Sequence, residues 1–494
     1  MLKSIHQMFE AFEKSGIEYC HWKSNEHLAE ALDGETDLDI LFLPEQRAML
    51  DCVLNQCGLK RFRAVQLMQY NAIEDYIGFD EATAKIWHLH LHYRLTLGEK
   101  HLKGYTVAPW GDYLLQNKVM SDLGVYTSCY EDELILLIIR IALKIRWRDF
   151  GRRIGKDDIK ELEWLYKRID NKKLEVSLSQ YVNDVVADQV RVLIKQRPKT
   201  KNDFIKLQRI LRKFLKPYTG YTKGGSWWVR SIRELFWGFN GVKRRLHLKM
   251  DKPCRRISPS GGSVIAFLGC DGAGKTTTID YIAREFSKKL DVKIVYLGSG
   301  DGSCSLIRKP MKLVAAKIGG KGVGHAVEKE YEKSDEINKK VSIKARLYSV
   351  AKYFWAMTLA YEKKKKIKEI TRARNNGMLV LVDRYPQVLM PGCSDGPLLT
   401  KYLKKGKGFL YKQAKKELEI YKSASLNPPD LVIKLTVPTE IAIIRKPEMT
   451  EKEIENKKAA VFAMNVSKNS VIIDTSVEKI TAFSKGMYEI WKII

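Results

Sequence analysis

The chain has 494 residues, of which 45% are hydrophobic, 10% aromatic and 29% charged, with 87 Lys plus Arg against 58 Asp plus Glu and a formal charge of +29. At roughly 100–200 residues per domain this length asks for more than one domain, and the composition excludes disordered, collagenous and disulfide-stapled classes. The charge predicts attraction to an anion, and the 8 cysteines, without a Cys-x-x-Cys pair, predict a reducing, cytoplasmic setting.

Residues 1–16, MLKSIHQMFEAFEKSG, alternate apolar and charged residues as an amphipathic helix does and lack the apolar run of a signal peptide. HWKSNEHLAEALDGETDLDILFL follows, placing Asp37 and Asp39 at the start of a strand. Carboxylates at i and i+2 share a strand face, so the pair reads either as a Mg2+ site or as an exposed strand edge. The later strand KIWHLHLHYRL sets His88, His90 and His92 on one face against Trp87, Leu89, Leu91 and Tyr93 on the other. Alternate histidines read either as a polar sheet face or, with a fourth ligand, as a zinc site.

These two strands resemble the DNA polymerase beta-like nucleotidyltransferase superfamily, in particular a bacterial branch in which the later strand reads Asp-Leu-His-Trp. The resemblance covers about residues 1–125, with helices to about 190 closing an α/β domain, and it implies transfer of a nucleotidyl group or binding of a nucleotide or phosphosugar. The third carboxylate of that branch falls at His90 here, and imidazole is a poor ligand for a hard cation.

Leu134–Leu143 is the longest apolar stretch and is broken by Arg140, well short of the roughly 20 residues a membrane-spanning helix needs. From Arg191 to Arg256 there are 20 Lys or Arg against Asp203, Glu234 and Asp251, interleaved with Trp227, Trp228, Phe236, Trp237 and Phe239. This stretch, ending in Pro253 and the SPSGG run at 258–262, reads as a helical connector over 191–260. It suits a solvated linker, a segment lying on an anionic membrane, or a single-strand nucleic-acid surface. The last is disfavoured because no nucleic-acid module accompanies it.

SVIAFL at 263–268 reads as a buried strand feeding GCDGAGKTTTIDYIAREF, which contains Gly269-x-x-x-x-Gly274-Lys275-Thr276. Such a loop curls so that backbone N–H groups point at phosphate oxygens, with the helix dipole behind them. Gly269, Asp271, Gly272, Ala273, Gly274, Lys275, Thr276 and Thr277 are the candidate nucleotide-binding residues, with Lys275 on the β and γ phosphates and Thr276 on Mg2+. A long helix over 344–376 precedes Met378–Val382, a strand that delivers Asp383, Arg384 and Tyr385 to its C-terminal end, where α/β sheets bind ligands. Leu431–Val437 forms a further strand before a helix and the basic residues Arg445, Lys446 and Lys452, a segment suited to closing over a transferring phosphoryl group.

DGAGKTT at 271–277, DRY at 383–385 and PDLVIKL at 429–435 resemble thymidylate kinase and related nucleoside monophosphate kinases over roughly 260–494. The resemblance implies a parallel sheet flanked by helices, ATP with Mg2+, and an acceptor beside the DRY motif. It further implies that Arg384 stabilises phosphoryl charge, Asp383 organises metal or acceptor, Asp271 lies near the acceptor sugar, and Arg445–Lys458 forms a lid. In those kinases an Arg-Glu-Pro-Gly-Gly segment follows the second strand. Here KIVYL at 293–297 leads into GSGDGSCS, followed by a Lys- and Gly-rich stretch at 308–340, with PGCSDGP at 391–397 after DRY.

The expected organisation is thus a nucleotidyltransferase-like α/β domain at 1–190, a basic helical connector at 191–260 and a P-loop kinase domain at 261–494. Catalysis falls to Lys275, Asp383, Arg384 and Arg445; metal binding to Thr276, Asp37 and Asp39. The expected activity is ATP-dependent phosphoryl transfer to dTMP or another nucleoside monophosphate. The alternatives are a kinase of a sugar or lipid-linked precursor of cell-surface polysaccharide, held at the inner membrane surface through 191–256, and a nucleotide-sensing binding protein. Oligomeric state is left open.

Overall fold

The computed structural model describes residues 1–246, 250–298, 343–391 and 395–494. The chain forms two compact units, one of residues 1–249 and 254–259, the other of 250–253 and 260–494. The Lys- and Gly-rich stretch at 308–340 and positions 392–394 of the PGCSDGP stretch lie outside the described residues.

The first unit is built on strands β1 (Tyr19–His21), β2 (Asp37–Phe42), β3 (Lys60–Ala64), β4 (Ile73–Asp80), β5 (Lys85–His92), a small hairpin of β6 (Leu95–Leu97) and β7 (Tyr105–Val107), then β8 (Val119–Met120), β9 (Tyr126–Thr127) and β10 (Arg256–Ile257). All but the hairpin join one sheet in the order β10-β3-β4-β5-β2-β1-β9-β8. β2 and β5 run parallel, in a register that sets Asp37 opposite His88 and Asp39 opposite His90. Side chains alternate faces along a strand, so Leu38, Ile40, Leu89 and Leu91 enter a core with Ile5, Met8, Phe9 and Phe12 of the helix Lys3–Lys14. The carboxylates and imidazoles stand on the opposite face.

A second core in this unit surrounds the helix Tyr130–Lys144, whose Leu134–Ile139 are all buried. The apolar stretch seen in the sequence is therefore a helix covered on all sides, and no helix among the described residues is long and apolar enough to cross a membrane.

The expectation of a connector over 191–260 is corrected here. Residues 191–215 belong to the first unit: Leu193 of the helix Asp184–Gln196, Phe204, and Leu207 and Leu211 of the helix Ile205–Phe214 all lie in the core around Tyr130–Lys144. Their basic residues stand on the outer faces of amphipathic helices, so charge density hid a periodic apolar stripe.

Among the described residues, the second unit forms a wholly parallel five-stranded sheet, with order β12-β13-β11-β14-β15 for β11 (Ser263–Gly269), β12 (Val292–Tyr296), β13 (Leu379–Asp383), β14 (Leu431–Thr436) and β15 (Ser470–Asp474). Central strands buried on both faces read as continuous apolar runs. Val264, Ala266 and Leu268 pack with Ile367, Ile370 and Ala373 of the helix Ile343–Asn375. The helices Lys275–Ser287 and Lys479–Ile493 meet through stacked Tyr281 and Phe483, 4.3 Å apart. The strand order reverses about β11, and such a switch point opens a ligand crevice at the C-terminal strand ends.

Candidate active site

β11 ends at Gly269, and the chain curls through Cys270–Gly274 into the helix Lys275–Ser287. Gly272 and Gly274 adopt φ of 83° and 77°, a region that side-chain-bearing residues rarely occupy. A Cβ on Gly272 would also meet the Ala442 carbonyl oxygen at 2.9 Å. The loop thus presents bare backbone. Lys275 is 7% exposed and folds back into the loop, its ammonium donating to the carbonyls of Gly269 at 3.0 Å and Cys270 at 2.8 Å. Burial, reinforced by the Arg384 charge, lowers its pKa. Thr475 Oγ1 ties the loop to β14 by reaching the carbonyls of Ala273 at 3.2 Å and Thr436 at 3.1 Å. Thr276 and Thr277 lie exposed in the first helical turn.

Asp383 ends β13 opposite Phe267 of β11, beside the loop. It is 8% exposed, and its Oδ1 is buried without a hydrogen-bond partner among the described residues. Burial raises its pKa, against the opposing pull of Lys275 and Arg384. Arg384 takes a left-handed φ of 69°. Its N–H donates to the Phe267 carbonyl at 3.0 Å, and its guanidinium lies 2.9 Å from Asp271 and 3.5 Å from Asp395. Arg445, at the end of the helix Thr439–Arg445, donates to the carbonyls of Gly272 at 3.0 Å and Thr475 at 3.2 Å. The structure thus gathers Lys275, Asp383, Arg384 and Arg445 around one loop.

Three charged groups here were not singled out from sequence. Lys457 Nζ lies 2.5 Å from Asp271, and Lys363, 3% exposed, is held by Asp395 at 3.3 Å. Lys363, Asp395, Arg384, Asp271 and Lys457 therefore form a chain of alternating charge that leads up to the loop. Burial alone would raise the Asp271 pKa, but the Lys457 hydrogen bond and the Arg384 charge outweigh it and bring the carboxyl down to about 2. Lys363 and Lys457 sit in Lys-rich helical sequence, where nothing marks one lysine among its neighbours.

In the first unit Asp37 and Asp39 share a face but have different partners. Asp37 lies 2.9 Å from His88 Nδ1, whose Nε2 lies 2.8 Å from Asp75, which in turn meets Arg256 at 2.9 Å. Asp39 is met by Lys23 at 2.8 Å, His90 at 2.7 Å and His92 at 3.3 Å. Burial would raise the Asp39 pKa, yet Lys23 and the two imidazole bonds hold it well below the usual range. Burial pushes both His90 and His92 down. Among the described residues, the group close enough to share one ion is Asp39, His90 and His92, without Asp37. Asp39 is thus bound by an ammonium and two imidazoles, while Asp37 meets a different histidine. Lys23, Asp75 and Arg256 were missed because they come from a loop, an antiparallel neighbour and a distant strand.

A parallel sheet that reverses about β11, with a glycine loop and a buried lysine after that strand, defines the second unit as an α/β domain with a P-loop. The chain is similar to the uncharacterized ATP-binding protein YghS of Escherichia coli K12, 28% identical over 200 residues, covering 40% of this chain and 78% of that protein. It is also similar to the uncharacterized ATP-binding protein YghR of the same strain, 27% identical over 201 residues, covering 39% and 73%. No family model matches. Solved structures similar to 47% of the chain include thymidylate kinases from Candida albicans (16% identity, 92% of that chain, TM-score 0.26) and Ehrlichia chaffeensis (15%, 98%, 0.26). Deoxyadenosine kinase from M. mycoides is similar over 47% as well (15%, 100%, 0.25).

Proposed function

We propose that the second unit is an ATP-dependent phosphotransferase. The observation that carries this is the convergence of the Gly272–Lys275 loop, the unpartnered Asp383 oxygen and Arg384 at the C-terminal edge of β11 and β13. The ATP-binding relatives support the nucleotide. The residues fit it: the loop at Gly272 is too tight for a Cβ, Lys275 brings a buried cation, and Asp383 Oδ1 has an acceptor to spare. When bound, ATP supplies the phosphoryl group and Mg2+ neutralises phosphate charge.

The loop N–H groups and Lys275 would hold the phosphates, and Thr276 with Asp383 would hold the metal. Arg384, anchored between Asp271 and Asp395, presents positive charge to the acceptor side. Arg445 and Lys457 approach from the segment after β14 and help exclude water. The resemblance to thymidylate kinases makes dTMP the first acceptor to test. Because the arginine segment those kinases carry after the second strand is absent here, a sugar or lipid-linked precursor is the second. The test is ATP consumption against dTMP, other nucleoside monophosphates, sugars and sugar phosphates, with Lys275→Ala as control. Acceptor-dependent turnover by the wild type alone supports the reading. ATP binding without phosphorylation of any acceptor would leave a nucleotide sensor.

For the first unit we propose recognition of a nucleotide or phosphosugar without turnover. Its support is the Lys23 ammonium on Asp39 and His90 in place of a third carboxylate, which suit an anion better than a hard cation. Nucleotidyl transfer by the purified protein with Mg2+, abolished by Asp39→Asn, would overturn it.

A further inference from the structure

The helix Lys223–Arg245 is inverted relative to a surface helix of a soluble protein. Trp228, Ile232, Leu235, Phe239, Val242 and Leu246 recur at spacings of four and three, which places them along one stripe, and they are 62%, 44%, 72%, 61%, 53% and 63% exposed. The opposite side, polar except for Trp237 packed 5.5 Å from the His101 ring, faces the body of the first unit. Arg233, 7% exposed, donates to the carbonyls of Gln69 at 2.7 Å and His101 at 3.2 Å. Arg230 pairs with Glu99 and Glu234 with Arg146, while Asn240 is 5% exposed. A helix anchored by its charges, with its large apolar side chains outward, leaves far more contiguous apolar surface bare than scattered exposed residues do.

We propose that this stripe lies in the surface of an anionic lipid bilayer. Charge selects the occupant. Lys223, Lys243 and Arg245 of this helix are not turned inward, and the chain carries a charge of +29, so a second copy docking here would bring like charges together, whereas an anionic headgroup layer neutralises them. Lys243, with its ammonium 4.3 Å from the Phe239 ring, and exposed Arg245 stand beside the stripe, where headgroup phosphates would meet them. Trp227 and Trp228, 54% and 62% exposed and in edge contact at 5.2 Å, place two indoles at one end of the helix, the side chain most at home at a membrane interface. Interfacial helices of this kind bind by apolar burial and by attraction to anionic lipid together. The surface is independent of the phosphotransferase reading.

The test is flotation of the full-length protein with vesicles of phosphatidylcholine alone or mixed with phosphatidylglycerol, at low and high salt. The expected result is flotation with the anionic vesicles only, weakened by salt, and reduced about tenfold or more in Leu235→Glu/Phe239→Glu, since apolar burial is lost and two carboxylates then face the anionic headgroups. Both changes are on exposed positions, and circular dichroism with an unchanged chemical denaturation midpoint verifies the fold of the variant. Absence of flotation with anionic vesicles, or equal flotation of the variant, overturns the proposal. So does a concentration-dependent dimer in sedimentation that the same variant abolishes without any vesicle binding.

Discussion

Arg384 holds a backbone conformation that costs a non-glycine residue of order 1 kcal/mol or more, and it is held there by the bond from its N–H to Phe267 and by two carboxylates on its guanidinium. Strain of that kind persists where the surroundings over-determine it, which aims the side chain. Arg384→Ala should lower turnover by about 10²-fold or more, the usual effect of removing a preorganised charge from a reacting phosphate, with a smaller change in ATP affinity; steady-state kinetics and nucleotide titration separate the two. Lys275→Ala should lower both. Glu133 carries a different consequence. Burial, and then the neighbouring Glu161, raise its pKa from 4.5 to about 8, so the folded state keeps a proton that the unfolded state releases. Its contribution to stability is complete below the unfolded pKa and is lost as pH rises through the folded one. Glu133→Gln should remove that contribution to the slope. Thermal unfolding of wild type and variant at pH 5 and pH 8 is the check, with the difference between them larger at pH 8.

Elements show where sequence was sufficient. β11, β13 and β14 were legible because a parallel strand covered on both faces is an unbroken apolar run, and the loop after β11 because glycine spacing reports backbone geometry directly. The pairing of Asp37 and Asp39 with particular histidines was not legible, since it depends on the register of β2 against β5 and on β4 bringing Asp75 alongside. Nor was the membership of residues 191–215 in a core, because lysines and arginines outnumber the leucines that decide the packing. Leu207→Ala in the helix Ile205–Phe214 should therefore destabilise the first unit by about 2–5 kcal/mol, as large-to-small changes at fully buried sites do. Chemical denaturation followed by far-UV circular dichroism measures it, and a change within about 0.5 kcal/mol would mark this helix as peripheral.

On the scale of the molecule, two sheets of different construction carry two sets of charged side chains, and nothing in the chemistry of one set requires the other. Asp37→Asn with Asp39→Asn should leave ATP turnover within about twofold of wild type, measured with the same acceptor panel; loss of turnover would join the two sets in one reaction. The course of the chain sets a practical condition on separating them. Residues 250–253 count with the second unit, where Asp251 meets Lys293 and Arg372. The chain then returns so that Arg256 and Ile257 can pair with β3, and only afterwards enters β11. A cut anywhere between 246 and 263 thus removes from one half a piece of its own fold: before 254 it strips the edge strand and the Arg256 partner of Asp75, and after 257 it leaves Asp251 behind. The two halves are sewn together by a back-stitch, and dissecting the gene at a single codon yields at least one fragment with a raw seam.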